Sequence, residues 1–340
     1  MAYKPSENAA YTYAVGRVRA LESYLLPPAV FERMLEAPDF DAALTVVRDH
    51  GYDEYLPERI ESAAELETAL GKVLWAAVIE VKDLSLDPAA TDAWFARYDA
   101  ANARLALREV YGEPSYEGAP YANAGNVSPE DLARAVESGD LGGLDPAFVG
   151  VLRRAMEIAE KEHDFVRADA ALETGWFGMV RDAGLRGGVE FLVRLAAVMA
   201  DLYNAEVILR GSFQGRGREE LAPLMSDAGV IPVAELLAAL ENPAAELPRV
   251  LSRHGYHRVS RAMSGGSPER LGRLYEAEAQ RFTMDFVKET KRLPFSVEPL
   301  VAFVMAMETE LANVRLVLKG KWLGVETERL RGRLREHYGP

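Results

Sequence analysis

DAANARLALREVYG at 99–112, DLYNAEVILRGSFQG at 201–215 and ETELANVRLVLKGKWLG at 308–324 are three versions of one segment. Each places an acid three residues before an asparagine: Asp99 before Asn102, Asp201 before Asn204, Glu310 before Asn313. Each has a charged residue two after the asparagine (Arg104, Glu206, Arg315) and a base six after it (Arg108, Arg210, Lys319). The asparagines lie 102 and 109 residues apart in a chain of 340. A period of this length means that one unit is built three times, and the fold follows from the repeat.

A second element keeps the period. PAVFERMLEAPDFDAAL starts at Pro28, PEDLARAVESGDLGGL at Pro129 and PVAELLAALENPAAEL at Pro232. Proline suits the first turn of a helix, where its missing N–H has no partner to lose. A third echo, His50-Gly51-Tyr52 and His254-Gly255-Tyr256, is two periods apart and reads as a repeated turn; the middle third lacks it.

Apolar residues three and four apart predict helices over 11–26, 63–82, 91–111, 147–172, 189–211, 271–291 and 298–322. Strand signals are scarce, and no Asn-Gly or Asp-Gly hairpin stands between alternating apolar runs. The expected fold class is all-α. Gly and Pro cluster between the helices, at 112–125, 139–143, 187–188, 211–217 and 264–268. Gly211 and Gly320 read as C-terminal helix stops, and Ser267-Pro268 as a helix start. Trp75, Trp94, Trp176 and Trp322 read as core residues. Boundaries between units are expected near 118 and 218, giving units over 1–118, 119–218 and 219–340 of one pseudo-symmetric assembly.

On a helix, the residue two after the asparagine and the base six after it are four apart and share a face. Glu206 and Arg210 make a favourable intrahelical pair. Arg104/Arg108 and Arg315/Lys319 repel one another unless acids on neighbouring helices meet them. Two roles are open: tying helices together inside each unit, or lining a central charged surface. A motif present three times favours the architectural role.

Other chemistry is not signalled. The chain has no cysteine, hence no disulfide and no thiolate metal site. There is no Gly-x-x-x-x-Gly-Lys-Ser/Thr loop and no His-Glu-x-x-His pair, so neither a nucleotide nor a metal cofactor is expected. His254 and His257 share a helical face without a third ligand nearby. The net charge of −14 argues against nucleic acid. That charge is uneven: residues 1–200 carry 19 bases and 34 acids, and residues 201–340 carry 20 and 19. The basic runs 249–273 and 319–335 read first as solvated helix faces, and as the alternative mark a last third that meets a more acidic partner than the others do. The apolar stretch Phe191 to Leu209 contains Arg194, Asp201 and Glu206, which disfavours it as a membrane span. The N-terminus lacks the pattern of a signal peptide.

The three motif helices, the opening YAVGRVRALESYLL at 13–26 with its Pro-led helix, and the closing ETELANVRLVLKGKWLG resemble the C subunit of the V/A-type ATPases, a relative of the d subunit of the eukaryotic V-ATPase. The resemblance covers about Tyr11 to Tyr338, and Asn313-x-Arg315 with Lys319 is its most specific part. It implies an all-helical funnel of three units around a pseudo-threefold axis, peripheral on the cytoplasmic face of the cell membrane. It also implies a non-catalytic rotor subunit whose partners are the central shaft and the membrane proteolipid ring, reached through protein contacts alone. Two other readings of the residues stay open: an unrelated helical-repeat adaptor that binds proteins, and a helical enzyme with a site assembled from distant acids.

Overall fold

The computed structural model describes residues 3–112, 123–264 and 268–339, and every regular element among them is helical. In chain order the α-helices are α1 (Thr12–Glu22), α2 (Pro28–Glu36), α3 (Phe40–Val47), α4 (Ala63–Leu84), α5 (Pro88–Tyr111), α6 (Pro129–Ser138), α7 (Pro146–Glu162) and α8 (Phe165–Gly187). They continue with α9 (Glu190–Phe213), α10 (Arg218–Leu221), α11 (Val233–Ala238), α12 (Pro243–Arg253), α13 (His257–Met263), α14 (Pro268–Lys288), α15 (Glu298–Trp322) and α16 (Thr327–Arg331). The all-α fold class read from the sequence is correct.

Local chemistry sets many of these bounds. Proline occupies the first turn of α2, α6, α7, α12 and α15. Ser62, Ser128, Asp145 and Asp164 accept backbone N–H bonds at the starts of α4, α6, α7 and α8, satisfying donors that lack a partner within the helix. The single helix expected over 147–172 is two. His163 takes a left-handed conformation (φ 51°) that ends α7, and Asp164 caps α8. The expected start at Ser267 and most of the expected loop at 112–125, with the boundary near 118, lie outside the described residues.

The chain divides into two compact bodies. One comprises Met1–Ser6, Ala89–Glu117 and Gly125–Phe286; the other comprises Glu7–Pro88, Gly118–Ala124 and Val287–Pro340. In the first body a core of Val198, Leu202, Ile208, Leu247, Leu251, Tyr256 and Tyr275 joins α9 to α12, α13 and α14. Trp94 and Trp176 meet edge-on at 5.3 Å, and the Trp176 Nε1–H donates to the Ala93 carbonyl. In the second body α15 packs against α1 to α4, with Phe31, Met34, Leu44, Leu66, Leu70, Val314 and Val317 wholly or almost wholly buried.

Two expectations need correction. Gly211 and Gly320 do not stop α9 and α15; both helices run on to Phe213 and Trp322. A Cβ at Gly211 would stand 2.5 Å from Leu221, and one at Gly320 would stand 2.3 Å from Leu330, so these glycines admit a following leucine against the helix. Of the four tryptophans, Trp94 and Trp176 are core residues, whereas Trp75 and Trp322 remain 48% and 41% exposed.

Candidate functional site: the acid–asparagine–base helices

The three acids are buried, at 1% exposure for Asp99, 0% for Asp201 and 6% for Glu310. Each accepts hydrogen bonds from the backbone just before a Pro-led helix. Asp99 on α5 accepts from the N–H groups of Asn126 and Val127, ahead of Pro129. Asp201 on α9 accepts from Val230 and Ile231, ahead of Pro232. Glu310 on α15 accepts from Leu26 at 2.6 Å, ahead of Pro28. The acid of each copy therefore holds the Pro-led segment of the next. The last copy holds the first, 284 residues back along the chain.

Two of these loops approach so closely that only glycine fits. A Cβ on Gly125 would lie 2.0 Å from Asp99 Oδ1, and one on Gly229 would lie 2.1 Å from Asp201 Oδ1.

The His-Gly-Tyr turns serve the same acids. Gly51 and Gly255 have φ of 97° and 92°, a region that side chains with a Cβ rarely enter. The turn then aims the next tyrosine at a carboxylate: Tyr52 Oη–H donates to Glu310 at 2.6 Å, and Tyr256 Oη–H donates to Asp201 at 2.7 Å. Sequence reading found the turns and missed these partners. The available signal was the tyrosine itself, which recurs with the turn and is absent from the middle third.

Burial governs the electrostatics. It pushes the Glu310 carboxyl up to about 7, against the lowering effect of Tyr52 and the Leu26 N–H. It raises Asp201 as well, opposed by Ile231, Tyr256 and Val230. Tyr52 and Tyr256 are pushed far up by burial and by the neighbouring carboxylates, so both stay protonated donors.

The asparagines bind backbone in both directions. Asn204 Nδ2 donates to the Ser226 carbonyl and its Oδ1 accepts the Ser226 N–H, both at 2.7 Å. Asn313 makes the same pair with Arg335, at 3.1 and 2.8 Å. In both copies the partner is 22 residues on. Asn102 is equally buried on α5.

The bases meet acids of neighbouring helices in two copies. Arg104 lies 3.4 Å from Asp169 and 3.2 Å from Glu173, and Arg108 lies 2.6 Å from Asp169, all three contacts reaching α8. Arg315 and Lys319 both reach Glu67 on α4, at 2.9 and 2.6 Å. In the remaining copy, Glu206 and Arg210 pair along their own helix at 2.6 Å. Three arginines of the basic run 249–273 are engaged too. Arg249 pairs with Glu246, Arg253 with Glu235, and Arg258 with Glu278 and Asp285.

Among the described residues no group of three or more His, Asp or Glu is arranged to hold a metal ion. His254 bonds Glu235 and His257 bonds Ser252. No helix among the described residues is long and apolar enough to cross a membrane.

These side chains bind helices to one another, which defines a helical scaffold built from a repeated joint. The family model of the ATP synthase (C/AC39) subunit matches residues 14–333, and the chain belongs to that family. Relatives of similar length include the C subunit of the A-type ATP synthase of Methanocaldococcus jannaschii, 22% identical over 96% of this chain and 86% of that protein. The C subunit of the V-type sodium ATPase of Enterococcus hirae is 22% identical over 94% of this chain and 97% of its own length. The C subunit of the A-type ATP synthase of Methanosarcina barkeri is 24% identical over 97% and 94%.

Proposed function

We propose that this protein is the C subunit of a V/A-type rotary ATPase or ATP synthase, a non-catalytic rotor part joining the central shaft to the membrane proteolipid ring. The observation that carries the reading is the family match over residues 14–333, supported by relatives that share nearly full length and are named as this subunit. The joints are compatible with it. A part that transmits torque needs helices that do not slide, and buried acids on backbone N–H groups resist sliding because breaking such a bond leaves a desolvated charge unpaired.

In this reading the units 1–118, 119–218 and 219–340 surround an axis on the cytoplasmic face of the membrane. The partners are the shaft subunits on one side and the proteolipid ring on the other, with membrane association through those proteins. The test is affinity purification of the tagged protein from detergent-solubilised membranes. Proteolipid and shaft subunits are expected to come with it. Recovery of soluble partners alone would favour a helical adaptor instead.

A further inference from the structure

The two interhelical ion-pair clasps share a register. Glu67 is the fifth residue of α4 and Asp169 the fifth of α8. Each is met by two bases of the motif helix packed against it. The fifth residue of α14, which packs against the remaining motif helix α9, is Gly272. Its position keeps the period, 103 residues after Asp169 and 205 after Glu67. The opposing position on α9 has also changed, from the arginine of the other copies (Arg104, Arg315) to Glu206. The acid and one of the two bases are therefore missing at one joint; Arg210, the remaining base, pairs with Glu206 along α9 instead, and among the described residues no ion pair links α9 to α14.

What stands in its place is a cavity of about 370 Å³ lined by Glu206, Arg210, Phe213, Gly272, Arg273 and Glu276. A Cβ on Gly272 would meet nothing within 4 Å. Glu206 is raised by burial and by the nearby Glu276 and Glu173, with Arg210 acting against them. What holds α14 to α9 is apolar packing through Leu271 and Tyr275, together with the Tyr275 Oη–H bond to the Leu202 carbonyl.

We propose that the α9–α14 joint is the one of the three at which the fold opens: α14 swings from α9 while α8 and α4 stay clasped to α5 and α15. The α4 and α8 joints must break charge contacts between partly buried groups before their helices part. Among the described residues, the α9–α14 joint separates without breaking one. This inference concerns the chain itself and does not depend on the proposed assembly.

Hydrogen exchange on the full-length protein, read as protection factors over the first three turns of α4, α8 and α14, tests it. In the wild type, α14 is expected to be about fivefold less protected than the other two, the factor carried by an ion pair of ordinary strength. The double variant Glu206→Arg with Gly272→Asp rebuilds the clasp in open space and should raise α14 by about that factor, leaving α4 and α8 unchanged. Glu206→Arg alone should lower protection, because it sets a second base beside Arg210; Gly272→Asp alone, which faces Arg210 but also Glu206 and Glu276, should gain less than the double variant. Gly272→Ala controls for helix propensity. Wild-type α14 as protected as α4 and α8, or a double variant that gains no more than Gly272→Ala, overturns the proposal.

Discussion

Glu310 offers the sharpest energetic test of the joints, because its carboxylate is 6% exposed and bonded to both Leu26 and Tyr52. Glu310→Gln keeps the size and removes the titration. In the folded protein burial carries the group from 4.5 to about 7. Between those two values the folded state holds a proton that the unfolded state has lost. The associated stability is thus fully present below pH 4.5, declines through the window and is gone above pH 7. At 1.36 kcal/mol per pH unit, the swing is about 3 kcal/mol.

The measurement is urea denaturation of wild type and Glu310→Gln across pH 4.5–8, taking the difference in unfolding free energy so that other titrating groups cancel. The wild type should lose about 3 kcal/mol relative to the variant as pH rises. A difference that is flat with pH, or that grows in favour of the wild type, would show that the Tyr52 and Leu26 donors outweigh burial, and the predicted sign would be wrong.

Three further outcomes follow from the same contacts. Gly229→Ala should destabilise the protein by about 1–3 kcal/mol, because the new methyl meets Asp201 Oδ1 at 2.1 Å; thermal melting reads it, and an unchanged midpoint contradicts the close approach. Tyr256→Phe should lose about 1.5–3 kcal/mol by stripping a donor from buried Asp201, measurable in urea, and the loss should shrink towards nothing in the Asp201→Ala background, where no acceptor remains, if the two act as a pair. Glu67→Gln should cost about 1 kcal/mol and weaken the salt dependence of stability, since Arg315 and Lys319 then face each other without an acid; equal salt sensitivity in both proteins would show the clasp to be inert.

How far the sequence could be read depended on whether an interaction was local. The long helices follow from apolar spacing, and α15 matches its expected bounds of 298–322. The Glu206–Arg210 pair lies four residues apart on one helix and needs only helix geometry. By contrast, Tyr256 reaches Asp201 across 55 residues and Tyr52 reaches Glu310 across 258, distances over which periodicity says nothing about partners. The head-to-tail pairing of copies was hidden for the same reason: a repeat shows that units are alike, and it leaves open whether a segment packs within its own copy or onto the next. Gly211 and Gly320 misled because glycine near a helix end signals a stop or a close contact equally well, and here Leu221 and Leu330 make the contact. Trp75 and Trp322 sit in apolar patterns, yet both stay about half exposed.

The proposed role is to couple rotation to ion movement without performing the chemistry. Membranes depleted of this chain, and the same membranes with purified protein added back, allow ATP hydrolysis by the head and ATP-driven ion uptake to be measured side by side. Hydrolysis should survive depletion, ion uptake should fall to background, and the purified protein should restore it. Ion uptake that persists undiminished in the depleted membranes would contradict the coupling role.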